Sequence, residues 1–492
     1  MRIILLSLLF SMALLGCSGP ASNTTSPSTT SSSASSGEVG EPGYEITLNL
    51  AGGSDTVFLA YYQGDKQFLK DTALNNNGTY TFQREESLDG GMYLMVIPPS
   101  NRFFDLVIAG DQYFTITTDT ADFAGKMEIE GSEENEIFYE HVAYLGDMRT
   151  KATELQNQMK GLADGDAQKE AITEELTELN ETVMAERKGL MAKYPGKLAP
   201  VILTGTDVPE VPDAPEGAPE DWAFRYYRAH YFDKLDLSDD RLTRTPIMKP
   251  KVDEFLDKLT LQDPDTVIAA VDEIIETARP NDEAFKYYVS YLLNKYAEKA
   301  NKIMGMDAVY LHIVEKYYAS NQAWWIDPDA LEKIITKAEE LSPIIIGRPG
   351  QDFTVTDMNG IQQSVYGVDA DWLILYFWDY DCGRCKKVTP ELASVFPAYR
   401  DKGVQLFTVN INGSEDVWKS KLAEYGLDEA GGIHTSDAYR RSGFDAKYNI
   451  NSTPKLFILD KDKVIRYKWI GVDQLKEILD RELNPDKEEG NS

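Results

Sequence analysis

The sequence predicts a multidomain chain: an N-terminal all-β sandwich, a central α-helical domain and a C-terminal α/β domain. Three observations carry this. From Tyr44, apolar and polar residues alternate with period two; after Gly131 the apolar period becomes three and four; near the end a continuous apolar run, Trp372 to Trp378, leads straight into a new helical pattern. At 492 residues the chain is also too long for one core, since domains of roughly 100 to 200 residues are usual.

Taken in order, Met1-Arg2 gives a short positive start, Ile3 to Leu15 an apolar stretch short for a membrane span, and Leu14-Leu15-Gly16-Cys17 a small-residue cleavage site. This resembles a bacterial lipoprotein signal. The resemblance implies cleavage before Cys17, acyl chains on that cysteine, and a protein tethered to a membrane of the cell envelope and facing the periplasm, the outer membrane being favoured. Two or more acyl chains make such an anchor stable. Residues 18–43 are nearly all Ser, Thr, Ala, Asn, Gly and Pro, too poor in apolar surface to order themselves. As a random coil this tether reaches about 25 to 30 Å.

The β module is expected over 44–131. Tyr44, Ile46, Leu48 and Leu50 alternate with polar residues, and further short strands are predicted at 56–62, 79–83, 92–97, 103–108, 113–117 and 126–130, separated by turn signals such as Asn77-Gly78 and Gly90-Gly91. A helical domain follows over 132–345, with Ser132 as a first N-cap. Ala152, Leu155, Met159 and Leu162, then Ile172, Leu176, Leu179 and Val183, mark an antiparallel helix pair. The Pro-rich, acidic stretch 205–220 breaks the pattern, and the aromatic-dense stretch 221–341 reads as helices packed on one another with tyrosine hydroxyls at the core edge. The last domain is expected over 346–485, with a hairpin turning at Asn359-Gly360, a buried central strand at 372–378, a strand at 404–411 and a closing strand pair and helix; 486–492 is an acidic tail.

Asp and Glu number 81 against 49 Lys and Arg, a formal charge of -32, so polyanions such as nucleic acid are poor partners. The chain has three cysteines, too few for a disulfide-stapled framework. Cys17 is the lipidation candidate; Cys382 and Cys385 stand one helical turn apart in Cys-Gly-Arg-Cys. At a helix N-terminus the partial positive charge favours a thiolate, which can attack a disulfide. Zinc is the rival ligand for such a pair, but there is no second pair and no His at ligand spacing, so no metal is expected unless two chains share a site. His141, His230, His312 and His434 are scattered and read as packed or surface residues.

From Gly347 to Leu483 the chain resembles the thioredoxin superfamily, and within it the membrane-tethered TlpA-like thiol-disulfide oxidoreductases. Phe377-Trp378 before the pair, Lys386-Lys387 after it, Pro390 in the helix and Ser452-Thr453-Pro454 carry the likeness. It implies a cis-proline at Pro454 opposite the dithiol, with Thr453 beside it in the loop that pairs with an extended substrate. The stretch from Tyr44 to Leu341 looks like the uncharacterised modules that precede such domains in Bacteroidota lipoproteins, through Gly131-Ser132-Glu133-Glu134-Asn135-Glu136, Arg241-Leu242-Thr243-Arg244-Thr245-Pro246 and Met304-Gly305-Met306-Asp307-Ala308-Val309-Tyr310. There are departures. Tyr376 stands where thioredoxin has a buried Asp, and Val388 where several TlpA-like proteins place an acid. Asp379 and Asp381 are left as the candidates either to deprotonate Cys385 or to cap the loop.

The reading is therefore a thiol-disulfide oxidoreductase that reduces protein disulfides, with Cys382 as nucleophile and Cys385 resolving the mixed disulfide. It needs no cofactor beyond its redox-active disulfide, and a membrane thiol reductant supplies its electrons. An oxidase or isomerase would use the same residues at another potential. A peroxidase would want Thr or Ser where Asp379 stands. A non-catalytic envelope scaffold is the alternative outside enzymology.

Overall fold

The computed structural model describes residues 43–300 and 302–484. The expected signal at 1–17 with Cys17, all but the last residue of the tether at 18–43, and the tail at 486–492 lie outside them. Residues 43–259 with 276–285 form one compact unit, and 260–275 with 286–484 form a second.

The first unit begins with two four-stranded sheets. Their strands are β1 (Tyr44–Ala51), β2 (Thr56–Gln63), β3 (Lys66–Leu74), β4 (Thr79–Arg84), β5 (Gly91–Ile97), β6 (Arg102–Ile108), β7 (Tyr113–Asp119) and β8 (Glu128–Glu130). One sheet has the order β4-β1-β7-β8, the other β3-β2-β5-β6. The alternation from Tyr44 works as expected: Tyr44, Ile46, Leu48 and Leu50 are all buried. The Tyr44 hydroxyl donates to Asp71 Oδ2 at 2.8 Å, joining β1 to β3 of the other sheet. β3 is the strand that periodicity does not predict. Its first four residues are all exposed, it forms a sheet edge, and its two buried positions are Asp71 and the small Ala73, so no apolar rhythm marks it.

Helix α1 (Glu133–Met159) starts at the Ser132 cap and runs antiparallel with α2 (Ala167–Lys193). The expected stripe is the seam: Ala152, Ile172 and Leu176 pack with Leu155, Met159, Leu162 and Leu179. Asn135 is buried at the start of α1, where its side-chain amide exchanges two 2.8 Å hydrogen bonds with the backbone of Val107 on the edge strand β6. A side chain thus satisfies an edge that would otherwise need another strand. Next to it, the Glu134 carboxylate accepts from the amides of Leu198 and Ala199, at 3.0 and 2.8 Å, at the start of the helix Leu198–Thr204. Further along, Arg244 Nε donates to the Gly90 carbonyl at 2.6 Å and Met92 N to the Arg244 carbonyl at 2.8 Å, so this segment docks on β5.

The second unit carries a seven-stranded mixed sheet. Its strands are β9 (Thr354–Asp357), β10 (Gln362–Ser364), β11 (Trp372–Trp378), β12 (Val404–Asn410), β13 (Ile433–Ser436), β14 (Lys455–Asp460) and β15 (Ile465–Lys468), in the order β10-β9-β13-β12-β11-β14-β15. β9 and β10 are the predicted hairpin. β13 escaped the sequence reading because it has only four residues. β11 lies near the middle, parallel to β12 and antiparallel to β14, and six of its seven residues are buried. One face of the sheet packs Tyr376, Trp378, Leu456 and Ile458 against Leu392, Leu475 and Leu479 from two helices. Phe377 instead joins an aromatic cluster with Phe353, Phe444, Tyr448 and Phe457, its ring 5.3 Å from that of Phe444.

Helices of the aromatic-rich stretch belong to this unit too. Asp307, on the helix Met306–Ile313, ion-pairs with Lys468 of β15, and the same ammonium donates to the Ile344 carbonyl at 2.7 Å. Both charged side chains are buried, so removing one leaves the other desolvated and unpaired. Asp307→Ala is expected to destabilise this unit by about 3 to 5 kcal/mol, and the Asp307→Ala/Lys468→Met double variant to recover a large part of that loss in urea unfolding.

In the first unit, Asp105 Oδ1 is shut off from solvent without a hydrogen-bond partner, and burial holds its carboxyl up at about 7. An unfolded Asp titrates near 3.9. The folded state therefore binds the proton more tightly, giving stability that is complete below about pH 4 and is lost as pH rises through about 7. Hydrogen-exchange protection of β5 and β6, corrected for intrinsic exchange, should fall between about pH 5 and 8, and Asp105→Asn should flatten that slope.

Candidate functional site

The site sits where β11 ends. β11 carries no charged side chain, and the chain then turns through Asp379-Tyr380-Asp381 into the helix Cys385–Val395. This start has no side-chain cap, so its amides point at the dithiol instead. Both cysteines are free thiols.

They differ sharply in exposure. Cys385 is fully buried in the core cluster with Tyr376, Trp378 and Leu392, while Cys382 is part-exposed at the edge of that cluster. Burial raises the Cys382 thiol, but the amides of Cys385 and Arg384, the Cys385 thiol and the Thr453 side chain outweigh it, and the net position is below that of an ordinary thiol. Burial pushes the Cys385 thiol the other way, up to about 12. Cys382 is thus the accessible and more acidic thiol, and Cys385 the buried one that stays protonated.

The proline loop lies opposite, as the resemblance implies. The Thr453-Pro454 bond is cis, and the Cys382 thiol donates to the Thr453 carbonyl at 3.4 Å. Five of the expected residues are therefore gathered at the end of β11 and the start of β14: Cys382, Cys385, Thr453, Pro454 and Asp379. Asp379 Oδ1 accepts from the Asp381 amide at 2.7 Å and from Asn412 Nδ2 at 3.0 Å, which makes its carboxylate a loop cap. The Asp379 backbone favours the Cys385 thiolate, a smaller effect than the burial that opposes it. Asp381 is exposed. Neither carboxylate hydrogen-bonds to a sulfur among the described residues.

Two residues that the sequence reading did not single out complete the site. Thr389 is buried under the dithiol, with its hydroxyl 2.9 Å from that of Tyr376. The pair fills the space where the resemblance expects an acid, and burial raises the Tyr376 phenol above its usual value, so it stays neutral. Asn412 ties the loop after β12 to the loop after β11. A lone polar residue on an apolar helix face, and the turn dipeptide Asn412-Gly413, were the available signals. Of the scattered histidines, His312 pairs with Asp272, His230 with Asp233, His141 with Glu186 and His434 with Thr408. No group of three metal-ligating side chains occurs among the described residues.

A mixed sheet whose central strand delivers a Cys-x-x-Cys pair to a helix start, facing a cis-proline loop, defines a thioredoxin fold. Comparison with known proteins agrees: residues 370–465 match a family described as Thioredoxin-like. Residues 44–138 and 165–341 match two domains of unknown function, DUF4369 and DUF5106. The thiol-disulfide oxidoreductase ResA of a Bacillus cereus strain is 27% identical over 135 residues, 27% of this chain and 75% of that protein. Among solved structures, a domain of a possible thiol-disulfide isomerase from Cytophaga hutchinsonii is 31% identical with a TM-score of 0.27, covering 29% of this chain and 97% of the other. A thioredoxin-like protein from Bacteroides caccae is 20% identical with a TM-score of 0.42, covering 55% and 97%. The C-terminal domain is thus a TlpA/ResA-like, thioredoxin-like thiol-disulfide oxidoreductase domain, set behind two modules of unknown function.

The difference between the two thiols is directly measurable. Alkylation of the reduced protein by iodoacetamide should proceed at Cys382 with a pH midpoint below the ordinary thiol value of about 8.5, and Cys385 should stay unmodified across the same range.

Proposed function

We propose that this chain is a membrane-tethered periplasmic thiol-disulfide oxidoreductase that reduces protein disulfides through Cys382 and Cys385. The observation that carries the reading is the paired inequality at the dithiol: a part-exposed sulfur with a lowered pKa one turn from a sealed sulfur with a raised one.

In the first step the Cys382 thiolate attacks one sulfur of the substrate disulfide. That bond breaks, a mixed disulfide forms, and the departing substrate sulfur takes up a proton. Cys385 then attacks the Cys382 sulfur, losing its proton as the second substrate sulfur leaves and gains one. The substrate is reduced by two electrons and the pair becomes a disulfide. The buried Cys385 thiol stays unreactive until the mixed disulfide is in place, and the Asp379 backbone favours the thiolate that must then form. No further cofactor enters these steps. A membrane thiol donor returns the pair to the dithiol, because the chain carries no flavin or nucleotide motif of its own.

Attachment is assigned to acyl chains on Cys17, on the strength of Leu14-Leu15-Gly16-Cys17 and the apolar stretch before it. This sets the enzyme in the cell envelope, facing the periplasm, with the outer membrane favoured. Among the described residues no helix is long and apolar enough to cross a membrane. Net reduction, rather than oxidation, is favoured by the likeness to TlpA-like proteins.

Trapping tests the reading. Cys385→Ala, expressed in the envelope, should accumulate proteins disulfide-linked to Cys382, and Cys382→Ala should accumulate none. The wild-type protein should reduce insulin in the presence of dithiothreitol. Absence of trapped partners together with no insulin reduction would remove the assignment.

A further inference from the structure

Lys455 directly follows cis-Pro454 and opens β14, opposite Phe377. Its ammonium lies 3.7 Å from the centroid of the Trp469 ring. Trp469 is placed there by a positive φ of 57° and by its amide, which donates to the Leu456 carbonyl at 2.7 Å. The result is a cation seated on an aromatic face at the dithiol end of the sheet.

Positive charge there is uncompensated. Burial lowers the Lys455 pKa, and repulsion from Lys468 and from Arg384 adds to it, so Lys455 and the Arg384 between the two cysteines share one electrostatic neighbourhood. Lys468 has its charge answered by Asp307. Among the described residues neither Lys455 nor Arg384 has a carboxylate partner, in a chain whose formal charge is -32. The two acids of the active-site loop do not fill that role. Asp379 is held by the Asp381 amide and Asn412, and Asp381 exerts its field on Lys421 and Tyr425.

Geometry fixes which part of a substrate would meet this charge. The Thr453 carbonyl touches the Cys382 sulfur, so the attacked half-cystine must lie beside Thr453. Lys455 is two residues further along, about 6.5 Å on an extended chain. A substrate segment paired with the proline loop in extended form would bring a residue about two positions from its half-cystine alongside that ammonium.

On the basis of the thiol-disulfide reading above, we propose that Lys455, stacked on Trp469 and flanked by Arg384, is a specificity-determining residue that selects polypeptide disulfides carrying Asp or Glu about two residues from the attacked half-cystine. Lys455 touches the substrate's flanking side chain and takes no part in the sulfur exchange itself.

The test uses three synthetic peptides with one internal disulfide that differ only at the flanking position, which is Asp, Asn or Lys, together with the neutral 2-hydroxyethyl disulfide. Single-turnover reduction by the full reduced chain is followed at low salt and at about 0.5 M salt, where the Debye length is only a few ångströms. The wild-type protein should favour the Asp peptide over the Asn peptide by about three- to tenfold at low salt, and salt should shrink that ratio. In Lys455→Gln the ratio should approach one, and Lys455→Glu should favour the Lys peptide. Because each ratio is taken within one protein preparation, a general loss of activity or partial misfolding of a variant cancels, and the salt response needs no variant at all. Equal rates for the Asp and Asn peptides in the wild type, with hydroxyethyl disulfide reduced, would overturn the acidic selectivity and leave the oxidoreductase assignment standing. No reduction of any of the four disulfides would overturn both.

Discussion

Desolvation at the end of β11 is the constraint on which the site depends. A strand buried on both faces carries the chain into the middle of the sheet, and the helix that follows must then start inside the core rather than on the surface. Cys385, first residue of that helix, is sealed among Tyr376, Trp378 and Leu392, whereas Cys382, three residues earlier, is still in the loop. The same burial that raises one thiol leaves the other within reach of the helix amides. The contrast in exposure and acidity between two chemically identical residues thus comes from where the core boundary cuts the motif.

Chemistry beneath the dithiol follows from the same packing. A buried carboxylate in that place would have to be desolvated and would carry its own raised pKa. This chain instead closes the space with two hydroxyls, Tyr376 and Thr389, that satisfy one another. With no carboxylate hydrogen-bonded to a sulfur among the described residues, burial dominates the Cys385 thiol and the Asp379 backbone offsets it only in part.

The segments in front of the α/β domain that looked family-like in the sequence prove to be joints. In the first, Glu134 caps a helix and Asn135 mimics a strand on the edge of β6. In the second, Arg244 docks on β5. In the third, Asp307 is buried against Lys468. Each puts a polar or charged side chain where little water can reach, so each needs a specific partner, and this explains why such residues stand out in otherwise apolar patterns.

Much of this was legible in one dimension. Periodicity located nearly all strands of the β module, because a half-buried strand must alternate, and the helix seam, because a packed helix must repeat its apolar face. It missed β3 and β13, one an exposed edge and the other too short to show a rhythm. The cysteine pair, its helix and the proline loop were visible because their chemistry requires particular residues at close spacing. Partnership across the fold was not visible. Asp379 caps a loop through Asn412, Thr389 answers Tyr376, and Lys455 rests on Trp469, each pair distant in sequence and brought within a few ångströms. Sequence alone determined which elements form and that a dithiol heads a helix, since those depend on local pattern. Which thiol is exposed, and which charges remain unanswered beside it, was decided by the tertiary structure, because solvation and pairing belong to the packed surroundings and not to the residue itself.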